Sequence, residues 1–556
     1  MTLADRLSDL GLRARAPLAL TVGPAVTGLA WSGGSRAVAR PAAEVVRELE
    51  ALAPRWTWWS ARETAAPLVA AGVRVRACWD LGAVGRLVHG LRRDDAAAVW
   101  AAAHGLPEPE ALRGGADLFD VDADGPLAPD GQLSRGWVRG AWADDPVRWA
   151  ELALRLQLAQ ERVVRDLPDP RPDARSTPLA VLSAWGESAA ALLAVELEHD
   201  GLPLDRAVAG ELLVRVLGPP PVDLADEAAR RAARVAEVLR LFPGPPVDLR
   251  SPLQVRDLLG RAGFTLPDTR SWRLEPHAAT SPAVAALLAW RRAERFSTTS
   301  GWSWLERHVG PDGRLRGEWR AADGASGRMT ASAGLHNLPA ELRPAVRAEP
   351  GHVLVRADLG QVEPRVLAVV SGDDALAAAA REDDLYAPVA AALRCDRPTA
   401  KVAVLAAMYG ATSGTAAAAL KGLDRAYPRA MSHLRAAERA GVEGTDLRTW
   451  GGRLLRLPGG GSGRFARNAV VQGAAAELFK AWAATVRDGL APVGGRIVLC
   501  LHDELLLHVP VEAEEHARAL LRDALQATAS WWAAGSTVRF VAEVSAGPAW
   551  AQPDAV

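Results

Sequence analysis

Several residue types are scarce in this chain of 556 residues, and each scarcity excludes a class of protein. Only three cysteines occur, at Cys78, Cys395 and Cys500. They lie too far apart for a disulfide framework or a cysteine zinc site and suit a reducing cytosol. No window reaches roughly 18 uninterrupted apolar residues, so no membrane span is expected. The amino-terminal stretch lacks the apolar core of a signal peptide.

Charge of one sign is also missing, because the formal net charge is -1. No global basic field favours nucleic acid, so a polyanion site would need a local concentration of arginine. The hydrophobic content of 49% and the charged content of 24% are typical of globular domains. The length exceeds what one core can organise, and two to four domains are expected.

Lysine, asparagine and tyrosine are rare in a chain rich in arginine and alanine. They occur only at Lys401, Lys421, Lys480, Asn337, Asn468, Tyr386, Tyr409 and Tyr427. All of them follow residue 336, which places the most demanding chemistry in the carboxyl-terminal half. Chance survival is the alternative interpretation, and we accept it for Lys421.

The first 170 residues predict a small α/β domain. Strands are expected over 18–22, 26–31 and 73–77, with helices over 42–53, 61–71 and 81–91. A metal-dependent exonuclease would need an acidic pair on its first strand, and the strand 18–22 has no carboxylate. No tyrosine precedes Tyr386 to serve as an activating residue. We therefore interpret this domain as structural.

Two other acidic patterns in this domain are weak. His89 and Asp94 have the spacing of a histidine-type nuclease motif, and we interpret them as a surface pair. Asp120, Asp122 and Asp124 lie in a loop rich in glycine and proline, where a solvated loop is the better interpretation. A helix from Pro146 to about Arg165 and an extended linker over 166–178 end the domain.

The next region is helical. Helices are predicted over 180–217 with a break at 200–203, over 225–241, and from Ser251-Pro252 and Ser281-Pro282. The last one ends in a basic tip that includes Arg295, followed by hydroxyl residues. Such tips bind phosphate backbones, and a solvated helix end is the equally weighted alternative. Arg328 and Asn337 follow among small residues that could track a sugar-phosphate backbone.

A strand is predicted from His352, and it delivers Asp358 at its end. Gly360 breaks the strand, and Pro364 begins a helix. Gln361, Glu363 and Arg365 are crowded around Asp358. A lone aspartate at a strand end is usually a turn former or a helix cap, so Asp358 needs support from elsewhere in the chain.

The stretch after Asp396 predicts a helix that is capped by this residue and stopped by Gly410. Arg397, Lys401, Leu405 and Tyr409 follow one another every fourth residue, so they share a face. Two cations near a helix amino terminus oppose the helix dipole unless an anion binds there. A triphosphate would fit, with a lysine rather than an arginine as proton donor to the leaving pyrophosphate.

A further helix carries Arg464, Asn468 and Gln472 as a polar stripe. Such a stripe is usually solvent-facing, but amide and guanidinium groups at this pitch also suit base edges and phosphate backbone. Near residue 500, two apolar strands are joined at His502-Asp503-Glu504. Asp358 and Asp503 at adjacent strand tips suit two Mg²⁺ ions, one activating a 3′-hydroxyl and one holding phosphates.

The stretches around Asp358, Lys401 and Asp503 resemble motifs A, B and C of family A DNA polymerases, the DNA polymerase I family. The resemblance covers residues 180–551 in the same order. It includes Glu196-Leu-Glu-His-Asp-Gly201, Ser251-Pro-Leu-Gln254 and Gly547-Pro-Ala-Trp550. Over its whole length the chain is similar to actinobacterial-type proteins that are labelled bifunctional 3′-5′ exonuclease/DNA polymerase.

The resemblance implies an α+β, multidomain fold, a right-hand polymerase of palm, fingers and thumb. A small α/β exonuclease-like domain of the RNase H-like type precedes it. The implied divisions are a degenerate exonuclease-like domain over 1–170, a mostly helical thumb over 180–319, a palm with motif A over 320–384, fingers with motif B and the template-contacting helix over 385–480, and a palm with motif C over 481–556.

The resemblance also implies roles for single residues. The catalytic residues would be Asp358, Asp503, Lys401 and Glu504, with Asp358 and Asp503 as ligands of two Mg²⁺ ions. The nucleotide site would contain Gln361, Glu363, Arg397, Lys401, Leu405, Tyr409 and His502, with Glu363 as steric gate against a ribose 2′-hydroxyl. The contacts to DNA would come from Arg295, Arg328, Asn337, Arg464, Asn468 and Gln472.

The implied function is a DNA-templated DNA polymerase that adds dNTPs to a primer 3′ end, in DNA repair or replication. It would act as a monomer in the cytoplasm, on nucleoid DNA, without a membrane and without 3′-5′ exonuclease activity. Two other hypotheses remain. Intact Asp358, Lys401 and Asp503 argue against a non-catalytic DNA-binding relic, and Glu363 argues against a single-subunit RNA polymerase.

Two positions depart from the family pattern. Leu359 and Gly360 stand where an aromatic residue and a serine are usual. Leu405 and Ala406 replace an aromatic residue and a glycine, and that aromatic ring normally packs on the incoming nucleotide. Weaker stacking predicts poorer nucleotide affinity, or altered selection between deoxy and dideoxy substrates.

Overall fold

The computed structural model describes residues 2–111, 125–322, 325–410 and 416–551, with the backbone alone over 416–419. Asp120, Asp122 and Asp124 lie outside the described residues. The chain forms two compact units. The large unit comprises Met1–Gly201, Glu318–Ala331 and Pro350–Gly547, and the helical unit comprises Leu202–Gly317, Ser332–Glu349 and Pro548–Val556.

The described residues contain strands of two to eight residues. They are β1 (Pro17–Val22), β2 (Thr27–Trp31), β3 (Gly34–Val38), β4 (Arg55–Trp58), β5 (Ala77–Asp80), β6 (Leu202–Pro203), β7 (Arg314–Leu315), β8 (Trp319–Arg320), β9 (Thr330–Ala331), β10 (His352–Leu359), β11 (Leu447–Arg448), β12 (Leu454–Leu455), β13 (Arg496–Cys500), β14 (Glu504–Pro510) and β15 (Ala542–Gly547).

The α-helices separate these strands. They are α1 (Leu3–Asp9), α2 (Ala42–Leu49), α3 (Ala61–Ala70), α4 (Leu81–His89), α5 (Ala96–Ala103), α6 (Arg135–Arg139), α7 (Pro146–Asp166), α8 (Leu179–Asp200), α9 (Arg206–Leu217), α10 (Leu224–Leu239), α11 (Pro252–Arg261), α12 (Ser271–Ala278), α13 (Pro282–Ser300), α14 (Trp302–His308), α15 (Val362–Ser371), α16 (Asp374–Ala379), α17 (Tyr386–Leu393), α18 (Arg397–Tyr409), α19 (Ala416–Ala426), α20 (Pro428–Glu443), α21 (Gly463–Leu490) and α22 (Glu514–Trp532).

The amino-terminal sheet of the large unit has the strand order β3-β2-β1-β4-β5. β1 is antiparallel to β2 and parallel to β4, and β4 is parallel to β5. The predicted α/β character is confirmed. The strand predicted over 73–77 was wrong in position, because the buried strand begins at Ala77 and has no alternating pattern. β3 and β4 were not predicted.

The second sheet of the large unit has the order β13-β14-β10-β15, and every pair in it is antiparallel. The strand around Asp358 and the hairpin of β13 and β14 are thereby confirmed. In register, Asp358 lies opposite Glu504 on one side and opposite Glu543 on the other. Acidic residues of three strands thus meet at one end of this sheet.

A buried charge cluster ties α8 to α21 inside the large unit. Both carboxylate oxygens of Glu187 lie 2.8 Å from Lys480 Nζ, and Glu187 also pairs with Arg453 at 2.6 Å. All three side chains are buried. Removing one partner of such a pair leaves an uncompensated charge, so the position of Lys480 has a structural reason.

α8 is the one described helix that is long and apolar enough, by length and composition, to cross a membrane. Within its most apolar window, 78% of the residues are buried inside the protein, as in a core helix.

The helical unit is organised around one apolar core. Residues from α10, α11, α12 and α13 form this core, among them Val238, Leu258, Leu274 and Leu287. The predicted starts are confirmed, since Ser251 and Ser281 cap α11 and α13 with their side chains. α12 was not predicted.

Candidate active site

Asp358 and Asp503 meet at the end of the sheet that contains β10 and β14. The amide of Leu359 donates to the carbonyl of Asp503 at 2.8 Å, which fixes the two chain segments side by side. The turn that carries Asp503 is closed by a hydrogen bond of 2.8 Å from the Leu501 amide to the Glu504 carbonyl. The predicted adjacency of the two aspartates is therefore found in the structure.

Arg356 lies two residues before Asp358 and was not singled out from the sequence. Alternate residues of a strand point to one face, so the two side chains share a face. Arg356 Nη2 lies 2.8 Å from Asp358 Oδ2 and 2.8 Å from Glu504 Oε2. The arginine thus joins two carboxylates across the strand pair.

The acidic cluster changes the proton affinity of its members. Loss of hydration, followed by the charge of Asp503, raises the pKa of Asp358 to about 6. Loss of hydration, followed by the charge of Glu504, also raises the pKa of Asp503, although this side chain reaches solvent. Glu504 itself is buried. Crowded carboxylates of this kind are stabilised when a cation binds them.

These residues fit a divalent ion by the chemistry of their donors. Asp358, Asp503 and Glu504 offer only carboxylate oxygens, which hard cations such as Mg²⁺ prefer. Loss of hydration and then the charge of Asp503 raise the pKa of Asp358, and a bound cation would oppose both effects.

The chain turns sharply between β10 and α15. Gln361 caps α15 in the left-handed region with φ of 55°, which is uncommon for a residue with a side chain. Its side chain donates to Asp384 at 3.0 Å and accepts from the Leu385 amide at 2.8 Å. These bonds tie motif A to the residues just before α17, so Gln361 does more than form a turn.

Arg365 holds the same turn from inside the protein. It is fully buried and donates to five backbone carbonyls at 2.6–3.0 Å, among them those of Gly360 and Asp383. Its role is structural. The sequence suggested only a charge near Asp358, because the five acceptors come from three separate segments.

Glu363 lies in the first turn of α15, and its carboxylate has a partner on each side. It forms an ion pair with Arg328 and accepts a hydrogen bond from the Tyr409 hydroxyl at 3.3 Å. Burial raises the pKa of Glu363, and the Arg328 charge opposes this effect. Arg328, predicted as a DNA contact, therefore also fixes the carboxylate of the predicted steric gate.

The predicted face of α18 is present with the expected ends. Asp396 accepts from the Thr399 amide at 2.7 Å, and Gly410 closes the helix with φ of 68°. At one end of the face Arg397 pairs with Asp384 at 2.6 Å, and at the other end Tyr409 reaches Glu363. The face therefore spans two acids that flank motif A.

The middle of this face is open. Lys401 is exposed, and among the described residues it makes no hydrogen bond or ion pair. Leu405 is half-buried on the same face.

α21 brings the predicted polar stripe next to the end of α18. Arg464 is exposed, and its side chain would lie 3.3 Å from a Cβ at Gly410. Asn468 is half-buried, with an Oδ1 that has no partner in the described part of the chain. Gln472 lies close enough to bond Tyr409. These three residues and the open face thus share one region.

Arg467, in the same helix, was missed by the sequence analysis. It is buried, and it donates to the Ala407 carbonyl at 2.6 Å and to Glu438 at 2.7 Å. Its contacts fix α18 against α20 and α21. The sequence around Asn468 did not indicate this role for the neighbouring Arg467, because its acceptors, Ala407 and Glu438, are distant in sequence.

Three predicted residues lie outside this group of contacts. His502 is exposed in the turn before Asp503. Arg295 and Asn337 belong to the helical unit, where both are exposed and line one groove of about 1330 Å³ with Thr298 and Thr299. The groove has the cationic and hydroxyl lining expected of a phosphate-binding surface.

The amino-terminal sheet has a strand-end acid of a different kind. Asp80 ends β5, is buried, and accepts from the amides of Ala61 and Ala83 at 2.6 and 2.8 Å. Its carboxylate thereby caps α4 and fixes the start of α3. Asp94 pairs with Arg86 at 3.0 Å rather than with His89.

Comparisons with known proteins agree with this geometry. The sequence model described as DNA polymerase family A matches residues 223–432 and 459–552, more than half of the chain. DNA polymerase I of Chloroflexus aurantiacus is 29% identical over 361 residues, which is 54% of this chain and 38% of that protein. The thermostable DNA polymerase I of Thermus thermophilus is 29% identical over 476 residues, 75% of this chain and 54% of that protein.

The chain spans about half or less of the length of these curated relatives. Among solved structures, the POL domain of Pol1 from M. smegmatis, in complex with DNA primer-template and dNTP, has a TM-score of 0.67 and 20% identity. The match covers 99% of this chain and 98% of that one, and it supports the fold. From the family match over more than half of its residues, we conclude that the chain belongs to DNA polymerase family A.

Proposed function

We propose that this protein is a DNA-templated DNA polymerase that extends a primer 3′ end with dNTPs. One observation carries the proposal. Asp358 and Asp503 lie side by side at a sheet end, and the open cationic face of α18 is anchored to the acids that flank motif A. Paired carboxylates beside a phosphate-binding face are what nucleotidyl transfer requires.

Asp358 and Asp503, with Glu504 beside them, would hold two Mg²⁺ ions. When bound, these ions would lower the pKa of the primer hydroxyl and neutralise charge on the phosphates. The chain itself positions the metal-binding carboxylates. The antiparallel register of β10 and β14 keeps the two carboxylates in fixed positions before substrate arrives.

Arg397 and Lys401 bind and orient the triphosphate. Arg397 exchanges its bond with Asp384 for phosphate oxygens, and the dipole at the amino end of α18 adds to the attraction for the phosphates. Lys401 gives a proton from Nζ to the leaving pyrophosphate, which an arginine could not readily do.

Glu363 selects the sugar. Arg328 and Tyr409 hold its carboxylate in place, so a ribose 2′-hydroxyl meets a group that cannot move aside. Gln361 and His502 complete the nucleotide site.

Arg328, Arg464, Asn468 and Gln472 contact the primer and template, and Arg295 and Asn337 hold the duplex from the helical unit. Because the net charge is only -1, these local contacts rather than a global field bind DNA. We further propose a monomer that acts on nucleoid DNA in the cytoplasm.

The amino-terminal domain has no exonuclease activity in this proposal. Its first strand carries no carboxylate, and the buried Asp80 is engaged by two amides. Degradation of a labelled 3′ end, lost on mutating acids of this domain, would contradict the proposal.

A primer-extension assay with Mg²⁺ tests the main proposal. Purified protein should extend a primer with dNTPs and poorly with rNTPs, and Asp358→Asn should abolish extension while primer-template binding remains. Binding without extension by the wild type would favour a non-catalytic relic. Equal use of both nucleotide types would favour an RNA polymerase.

A further inference from the structure

The carboxylate cluster already contains a cation of its own. Arg356 Nη2 donates to Asp358 and to Glu504, at 2.8 Å in both cases. The two acceptors belong to β10 and β14, so one nitrogen joins the acids of two strands. Glu543, opposite Asp358 on β15, is a further negative charge nearby.

The position of Arg356 allows it to leave. Its side chain is 31% exposed, whereas that of Glu504 is 5% exposed. The guanidinium therefore reaches solvent, as does the Asp358 side chain at 36% exposure, and it can turn outward away from Glu504. An ion pair that is half open to water is weak enough to be exchanged for a stronger cation.

The oxygens held by Arg356 are also the oxygens that a divalent ion needs. Asp358 Oδ2 accepts from Arg356, and the positive guanidinium beside this oxygen repels a second cation that approaches it. Mg²⁺ and Mn²⁺ carry twice the charge of a guanidinium and approach carboxylate oxygens more closely. The two cations compete for one site.

We propose that Arg356 is a resident counter-ion of this cluster. It holds Asp358 and Glu504 together in the metal-free protein and competes with divalent ions for these carboxylates. A higher concentration of divalent ion is therefore needed to fill the site. The inference rests on the proposed function, since it assumes that the cluster binds metal. Arg356 is thus a positioning residue rather than a catalytic one.

A purely structural role for Arg356 makes a different prediction. If the arginine only joined β10 to β14, its removal would lower stability and leave metal affinity unchanged or weaker. Competition predicts that its removal tightens metal binding. The two roles are therefore separated by a binding constant rather than by activity.

The test is Mn²⁺ binding, measured by electron paramagnetic resonance of the free ion on the full chain. The variants are Arg356→Gln, which removes the charge, and Asp503→Asn, which identifies the site. Arg496→Gln is the matched control, because Arg496 lies opposite His508, towards the other end of the sheet. The binding lost in Asp503→Asn defines the site to be compared.

Arg356→Gln should bind Mn²⁺ roughly tenfold more tightly, the effect of losing one competing charge-assisted hydrogen bond. Arg496→Gln should match the wild type. In EDTA, Arg356→Gln should melt at a lower temperature than the wild type, and Mn²⁺ should raise its Tm by more.

The possible failures are distinct. If the wild type and Asp503→Asn bind Mn²⁺ alike, the cluster is not a metal site and the proposed function fails with it. If the site exists and Arg356→Gln binds no more tightly, only the role of Arg356 fails. Should Arg356→Gln not fold, Arg356→Lys decides, because its shorter, strongly hydrated ammonium should tighten binding severalfold and an unchanged Kd would refute competition.

Discussion

Asp80 and Asp358 are both aspartates at or near the end of a strand, yet the protein uses them in opposite ways. Asp80 is buried, and two backbone amides occupy its oxygens. Asp358 is half-buried and faces Asp503 and Glu504, with Arg356 as its side-chain donor. One carboxylate completes the hydrogen bonding of two helix ends, and the other remains available for a cation.

The two pKa shifts have different causes. Burial raises the pKa of Asp80 to about 7, while its amide contacts oppose the shift. For Asp358, loss of hydration is followed by repulsion from Asp503. A raised pKa therefore does not mark a catalytic acid unless the group also faces other charges and an opening.

The largest expected difference between the two regions appears when an aspartate of each is replaced by asparagine. Asp503→Asn or Asp358→Asn should lower primer extension by at least about a thousandfold, because each change removes a proposed metal ligand. Asp80→Asn should lower stability and leave extension per folded molecule unchanged. Primer extension and urea denaturation of all three variants check this.

If Asp80→Asn loses primer extension as severely as Asp503→Asn while it remains folded, the role of Asp80 is not purely structural. If Asp503→Asn is less stable than the wild type and still active, the proposed functional role of Asp503 is wrong. Relief of repulsion predicts that Asp503→Asn is at least as stable as the wild type in EDTA.

The second effect is a pH dependence that belongs to Asp80. A carboxyl group whose folded pKa is raised contributes stability that is complete below its ordinary pKa and is lost as pH rises through about 7. The rise of the Asp80 pKa from 3.8 to about 7 corresponds to roughly 4 kcal/mol in the free energy of unfolding. Relative to Asp80→Asn, the wild type should lose this amount between pH 4 and pH 8, as measured by urea denaturation.

Glu477 provides the control for this measurement. Burial raises its pKa to about 7 as well, and it is present in both proteins, so its contribution cancels in the difference. If the wild type and Asp80→Asn show the same slope with pH, folding does not raise the pKa of Asp80, and burial does not outweigh its two amide contacts.

Sequence patterns predicted the elements that present Asp358 better than the contacts that surround it. β10, the hairpin after β13 and both ends of α18 followed from alternation, Asp396 and Gly410, which are local signals. The roles of Arg356 and Asp384 did not, because their partners come from other strands and helices. Likewise Lys480 was noticed for its rarity, but its partner Glu187 lies 293 positions away.

The next effect concerns Glu363, which is ion-paired like a structural acid yet stands beside the open face. Glu363→Ala should reduce the preference for dNTPs over rNTPs by roughly a hundredfold, because the blocking carboxylate is gone. Single-nucleotide kcat/KM values for both sugars measure this preference. Arg328→Ala should move it in the same direction, since Arg328 holds the carboxylate in place.

Unchanged sugar selection in Glu363→Ala would place the gate elsewhere. Arg292→Ala is a matched control for Arg328→Ala, because it also removes an arginine from a glutamate, Glu341, in the helical unit. That variant should leave selection unchanged even if it weakens DNA binding.

The smallest expected effect concerns the aromatic side chains near the two aspartates. The structural Asp80 has the buried Trp58 opposite it in the strand register. On the face of α18, by contrast, the half-buried Leu405 stands where the family usually has an aromatic ring. Leu405→Phe should lower KM for dNTPs by roughly threefold to tenfold, because ring stacking contributes about 0.5–1.5 kcal/mol. The kcat should change little, since Asp358 and Lys401 are untouched. Steady-state kinetics on one template decide the matter, and an unchanged KM would mean that Leu405 does not touch the nucleotide.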